Sequence, residues 1–251
     1  NILTQATTNG PPLIIGTPLQ TTQQENSPLN NGAVVLKNGN QTATYAKQLL
    51  PTYDVFDERR YFDPGVEPTI IEVNETKIGI TICEDAWNNV TVTGQKRYDT
   101  DPLLETSQQG ADIIVTLSAS PFSTNKPYRR EQRFINHATK TDCPIVFITQ
   151  VGGNDELIFD GNSIAATNTG ITHRFPEFTE HSDVIHVNTN NPTTIPRYSE
   201  DTTKQVRNAL TLGIHDYFKK TGFNEAVIGL SGGIDSSVCA GLTVDALGED
   251  N

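Results

Sequence analysis

Short apolar runs rich in β-branched residues punctuate the first three-quarters of the chain: LIIGT (13–17), AVVLK (33–37), TIIEV (69–73), KIGITI (77–82), DIIVTL (112–117), PIVFIT (144–149) and DVIHV (183–187). Several are continuous rather than alternating, the pattern of strands covered on both faces. Between the fifth and sixth runs lies KPYRREQRFINHATKTD, where Pro127 suits a first helical turn and Phe134, Ile135 and Ala138 share one face. The order there is strand, helix, strand. VEPTIIEVNETKIGI reads instead as a hairpin that turns at Asn74–Thr76. Hairpins mixed with strand–helix–strand units predict a layered α/β domain with a mixed sheet.

The pattern changes near residue 188. NTNNPTTIPRYSEDTT has two prolines and little apolar content, the composition of a linker. The expected division is a first domain over 1–190, a linker over 191–203 and the start of a second domain over 204–251. In the second, Val206, Leu210, Ile214, Tyr217 and Phe218 recur at helical spacing, and Lys219, Lys220 and Gly222 supply a stop. A strand, AVIGL (226–230), a glycine-rich turn and a further helix, SSVCAGLTVDAL, are predicted to follow.

Composition narrows the function classes. With 251 residues, 35% hydrophobic content and a formal net charge of −12, the chain is globular with an acidic surface. This argues against a broad nucleic-acid or anionic-membrane footprint and for small-molecule ligands. No run approaches the roughly 18 apolar residues of a membrane span. Cys83, Cys143 and Cys239 are far apart without CxxC spacing, and the histidines lack metal-ligand spacing, so neither a disulfide framework nor a zinc site is expected. A reducing cytoplasm is the simplest location. The absence of methionine, even at position 1, leads us to expect a piece of a longer protein, cut at both ends.

Two stretches carry chemistry. In Gly229, Leu230, Ser231, Gly232, Gly233, Ile234, Asp235, Ser236 and Ser237, two adjacent glycines at a strand-to-helix turn let backbone N–H groups approach an anion. The spacing and lysine of a Walker A loop are missing. SGGIDSS resembles the signature of the PP-loop ATP pyrophosphatases, which implies ATP with Mg²⁺, the ion held by Asp235 and Ser236, and no prosthetic group. The other stretch, TICEDAWNN, sets Cys83 at the end of an apolar strand and follows it with Glu84 and Asp85, whose charge disfavours a thiolate. Upstream, YAKQLLPTYDVFDERRYF carries Lys47 ahead of a Pro-marked turn.

These blocks together resemble the glutamine-dependent NAD⁺ synthetases, whose glutaminase domain belongs to the nitrilase (carbon–nitrogen hydrolase) superfamily. The resemblance implies an αββα layered domain with mixed sheets, followed by the first strand–loop–helix of a Rossmann-like PP-loop domain. It makes Cys83 the nucleophile and Lys47 the oxyanion-steadying cation. Tyr53, Glu84, Trp87, Ser120 and Lys126 become the glutamine pocket, while FDERRYF counts as a family marker or a turn with salt bridges. The implied reaction hydrolyses L-glutamine and passes ammonia to an ATP-dependent amidation of deamido-NAD⁺, releasing AMP and pyrophosphate. A homo-oligomer is expected for such an enzyme. The family's base glutamate, in PEL context, falls ahead of residue 1, and Glu25 stands in a different setting, so this piece by itself is expected to lack the base and to be inactive, since losing a general base removes ~10²- to 10⁴-fold of rate.

Each motif alone admits other readings. Lys47 and Cys83 also suit a stand-alone amidase, nitrilase or carbamoylase, and SGGIDSS also suits GMP or asparagine synthetases or tRNA-thiolating enzymes. A non-catalytic binding scaffold is a further alternative. The order of the two modules favours the synthetase.

Overall fold

Residues 69–82 set the frame. In the computed structural model, which describes residues 2–20, 29–88, 98–187, 193–196, 198 and 201–251, they form a hairpin of β4 (Thr69–Val73) and β5 (Thr76–Ile82). Asn74 and Glu75 both take positive φ (48° and 66°), the two-residue turn whose twist matches antiparallel strands. Beyond β5 the chain crosses over through α2 (Pro102–Gln108) to the parallel β6 (Ile113–Ser118), then through α3 (Lys126–Thr141) to the parallel β7 (Ile145–Thr149). The antiparallel pair β10 (Ile164–Thr167) and β11 (Gly170–Arg174) completes a six-stranded mixed sheet in the order β11-β10-β7-β6-β5-β4.

A second sheet comes from the N-terminal part, where the short helix α1 (Ile2–Ala6) precedes β1 (Leu13–Gln20), β2 (Leu29–Lys37) and β3 (Asn40–Ala46), all antiparallel. Ala33, Val35 and Tyr45 from this sheet close on Ile80 and Ile82 of the larger one. On the opposite face of the larger sheet, Leu103 of α2 and Phe134 and Ala138 of α3 pack against Ile114, Ile145 and Phe147. The central strands are therefore covered on both sides, which explains their continuous apolar runs. Gly79 permits the close approach of α2, since a Cβ there would lie 2.2 Å from the Thr106 methyl.

A small hairpin, β8 (Val151–Asn154) with β9 (Leu157–Asp160), leaves the end of β7 and carries the chain back to β10. Against it lies α4 (Thr202–Thr221), capped at its start by the Asp201 carboxylate and stopped at Gly222 in the left-handed conformation, as its sequence predicts. The last element is α5 (Ile234–Leu247).

Two predicted strands are absent. Residues 183–187 run irregularly with Val184 81% exposed, and 226–230 pair with no strand among the described residues, leaving Val227 fully exposed. Apolar content is not enough for a strand, because each needs a neighbour to take its backbone hydrogen bonds. Glu25 lies outside the described residues, as do residues 191, 192, 197, 199 and 200 of the expected linker.

Candidate active site

Cys83 opens the 3₁₀ turn Cys83–Ala86 at the end of β5. Its φ of 43° is left-handed, a conformation that costs a non-glycine residue roughly 1–3 kcal/mol and persists only where the surroundings impose it. The turn projects the half-buried thiol between two cavities, and Cys83 lines both.

The first cavity, about 430 Å³, is walled by Lys47, Glu58, Cys83, Leu117, Thr149 and Gln150 among others. Lys47 follows β3 and is only 1% exposed. Its ammonium donates to Glu58 Oε1 at 2.6 Å, while Asn31 Nδ2 donates to Glu58 Oε2 at 3.1 Å. A buried ammonium is tolerable because a carboxylate faces it. Both Glu58 oxygens are thus engaged, and the carboxylate fixes where the ammonium points. Sequence reasoning missed Glu58 and Asn31. FDERRYF does form a turn, but Glu58 serves the cavity, and the only signal was an acidic residue eleven positions beyond the lysine.

The second cavity, about 460 Å³, gathers Tyr53, Glu84, Trp87, Ser120 and Lys126 around Cys83. These are the five residues that the resemblance assigns to a glutamine pocket. Glu84 is 3% exposed and accepts from the Tyr53 hydroxyl at 2.9 and 2.8 Å and from the Tyr98 hydroxyl at 3.1 Å. Across the cavity the cations collect. Lys126 lies 5.2 Å above the Trp87 ring and donates to the Pro121 carbonyl, and the Arg133 guanidinium stacks 3.9 Å from the same ring. Burial, reinforced by Arg130, lowers the Lys126 pKa to about 8. One cavity therefore offers an anion and several cations at separate points, the charge layout that holds a free amino acid by both its ammonium and its carboxylate.

The glycine-rich loop stands apart, and none of Gly229–Ser237 lines either cavity. Gly232 takes a φ of +82°, Ser231 Oγ pairs with Ser236 Oγ at 3.1 Å and accepts from Gly233 N–H at 3.3 Å, and Ser237 Oγ donates to the Gly233 carbonyl at 2.9 Å. The loop curls tightly onto the first turn of α5. Among the described residues no three His, Cys, Asp or Glu side chains converge as a metal cage.

Comparison with known proteins gives two matches along the chain. A family described as carbon–nitrogen hydrolase matches residues 1–189, and one described as NAD synthase matches 206–251. The chain is 41% identical over 240 residues to a glutamine-dependent NAD(+) synthetase of Synechocystis sp., covering 92% of this chain and 42% of that protein. One from Acinetobacter baylyi is 33% identical over 232 residues, covering 91% and 41%. This chain spans about two fifths of the length of the curated relatives it matches. Among solved structures, the glutamine-dependent NAD⁺ synthetase of Acinetobacter baumannii in complex with ADP superposes with a TM-score of 0.81 at 32% identity, over 95% of this chain and 44% of that one. An amidase from Nesterenkonia sp. gives a TM-score of 0.56 at 16% identity, over 70% and 61%, a likeness of fold alone.

Proposed function

Because the chain belongs to the carbon–nitrogen hydrolase family and continues into an NAD synthase segment, we propose that it is part of a glutamine-dependent NAD⁺ synthetase. The observation that carries this reading is the position of Cys83, shared by a cavity that holds the Lys47–Glu58 pair and a cavity lined by Glu84 and Lys126. Glutamine lies in the second cavity with its ammonium at Glu84 and its carboxylate at Lys126. Its carboxamide then reaches the thiol.

Cys83 Sγ attacks the carboxamide carbon. The negative charge that develops on the amide oxygen is met by the Lys47 ammonium, held in place by Glu58, in a site with little water to compete. Collapse of this intermediate breaks the C–N bond, and the nitrogen leaves as ammonia after taking up the proton that the thiol gave up on attack. Water then cleaves the thioester to release glutamate and restore the thiol.

Ammonia is consumed at the second module. SGGIDSS, at the start of α5, supplies N–H groups and serine hydroxyls to ATP phosphates. Mg²⁺ fits there through Asp235 and Ser236 only as an ion that also rides on the phosphates, since it commonly binds by one or two carboxylates plus substrate oxygens. When bound it supplies charge neutralisation. The proposed product is NAD⁺ from deamido-NAD⁺, with AMP and pyrophosphate released. Three free cysteines and small-molecule substrates support a cytoplasmic setting, and a homo-oligomer is the assembly expected of such an enzyme.

The test compares nitrogen sources in the intact protein. Cys83→Ala should abolish glutamine-supported amination of deamido-NAD⁺ and leave the ammonia-supported reaction within about threefold, the pattern of a lost nucleophile in one of two sites. A variant that still uses glutamine would refute the assignment.

A further inference from the structure

Asp85 is fully buried, and four hydrogen bonds converge on its carboxylate. Oδ1 accepts from the backbone N–H groups of Gln48 at 3.1 Å and Leu49 at 2.9 Å, and Oδ2 accepts from the Tyr45 hydroxyl at 2.7 Å and the Ile82 N–H at 2.8 Å. The sequence positions of these donors matter more than their number. Tyr45, Gln48 and Leu49 bracket Lys47 within two residues on either side, and Ile82 immediately precedes Cys83. One oxygen therefore grips the segment that presents the ammonium, and the other ties it to the residue before the thiol. The strained left-handed backbone of Cys83 sits directly after that tie. Without it nothing local would favour a φ that a non-glycine residue avoids.

We propose that Asp85 is a positioning residue that fixes Lys47 against Cys83 by holding their two backbone segments on opposite oxygens of one carboxylate. The proposal deepens the glutaminase reading and rests on it. A carboxylate does this where an amide cannot, because all four partners are donors and both oxygens are acceptors. In Asp85→Asn the amide can keep its oxygen on Gln48 and Leu49 only by turning its NH₂ toward the Ile82 N–H, or the reverse. Either way one half of the link is lost while the volume of the side chain stays the same. Displacing a reacting group by about 1 Å can cost on the order of 10²-fold in rate. Binding should be less affected, because Lys126, the partner of the substrate carboxylate, stands on α3, outside the two segments that Asp85 joins.

The experiment uses the intact protein and measures kcat and KM for glutamine hydrolysis, with a thermal melt to confirm folding. Asp85→Asn should lower kcat about 30- to 100-fold and leave KM within about threefold. An unchanged kcat, or a loss confined to KM, overturns the proposal. If this variant does not fold, Tyr45→Phe decides: removing one donor should lower kcat about three- to tenfold, and an unchanged kcat overturns the proposal. Should the wild-type protein not hydrolyse glutamine at all, the parent reading fails, and Asp85 is judged by the rate of Cys83 alkylation with iodoacetamide, which reports how the sulfur is presented. A rate in Asp85→Asn that differs at least threefold from wild type supports the positioning role, and an equal rate sinks it.

Discussion

Lys126 is a cation that its cavity alters strongly. Burial is the largest cause of its lowered pKa of about 8, Arg130 and Arg129 add to it, and Cys83 and Asp160 oppose it. The charged form prevails below that value and is lost as pH rises through it. If Lys126 holds the glutamine carboxylate, KM should climb by about tenfold per pH unit above 8. Lys126→Arg, which keeps its charge, should show a flat KM across the same range. A wild-type KM that does not move between pH 7 and 9.5 would remove Lys126 from the carboxylate's partners. Of the residues discussed here, Cys83 stands out in the sequence by its place at the end of an apolar strand, and Lys47 and Lys126 through the family resemblance of their motifs. Asp85 and Glu58 were not visible in that way. Asp85 appears in sequence as one more acid beside the thiol, and its partners lie 36 and 37 positions upstream, brought together only by the packing of β3 against the turn after β5.

At the level of elements, α3 is fixed to the β8–β9 hairpin by an ion pair with no exposure at either end. Arg130 grips Asp160 of β9 through two bonds of 2.9 and 2.8 Å, and its guanidinium also donates to the carbonyls of Gly161 and Asn162. Breaking such a pair leaves a buried charge without its partner, so Asp160→Asn should cost about 3–5 kcal/mol in a urea titration. Arg130→Met with Asp160→Leu should cost less than Asp160→Asn alone, because no charge is then stranded. A double variant less stable than the single one would contradict that account. The same region shows what patterning reveals. The continuous apolar runs of β2, β5, β6 and β7 were legible because strands covered on both faces need such residues. VGGN, LIFD and IAAT were not, since β8, β9 and β10 have only four residues each and owe their state to pairing with distant partners.

Across the whole molecule, α4, which begins the NAD synthase segment, is bonded to the hydrolase domain at Gly153 of β8 as well as by packing. Asp216 of α4 accepts the Gly153 N–H at 2.8 Å, Lys220 donates to the Gly153 carbonyl, and His215 Nδ1 bonds the other Asp216 oxygen at 2.9 Å. The approach is close enough that a Cβ on Gly153 would lie 3.1 Å from the Gly213 backbone. Gly153 is three residues beyond Gln150, which lines the cavity shared with Cys83. The helix that leads to the nucleotide loop thus holds a peptide group of β8, the strand that leaves the cavity wall just after Gln150. By contrast, the exposed Arg207–Asp245 pair between α4 and α5 adds little, as surface pairs generally do. Asp216→Ala removes a charge-assisted bond of roughly 1.5–3 kcal/mol. The Gly153 amide should then exchange with solvent about tenfold faster or more, while amides in the core strand β6 keep their rates. Glutamine-supported NAD⁺ formation should fall relative to the ammonia-supported reaction in the same variant, because the hydrolase cavity loses its brace and the nucleotide loop does not. Equal loss from both nitrogen sources would place the role of Asp216 in the stability of α4 and not in the link between the modules.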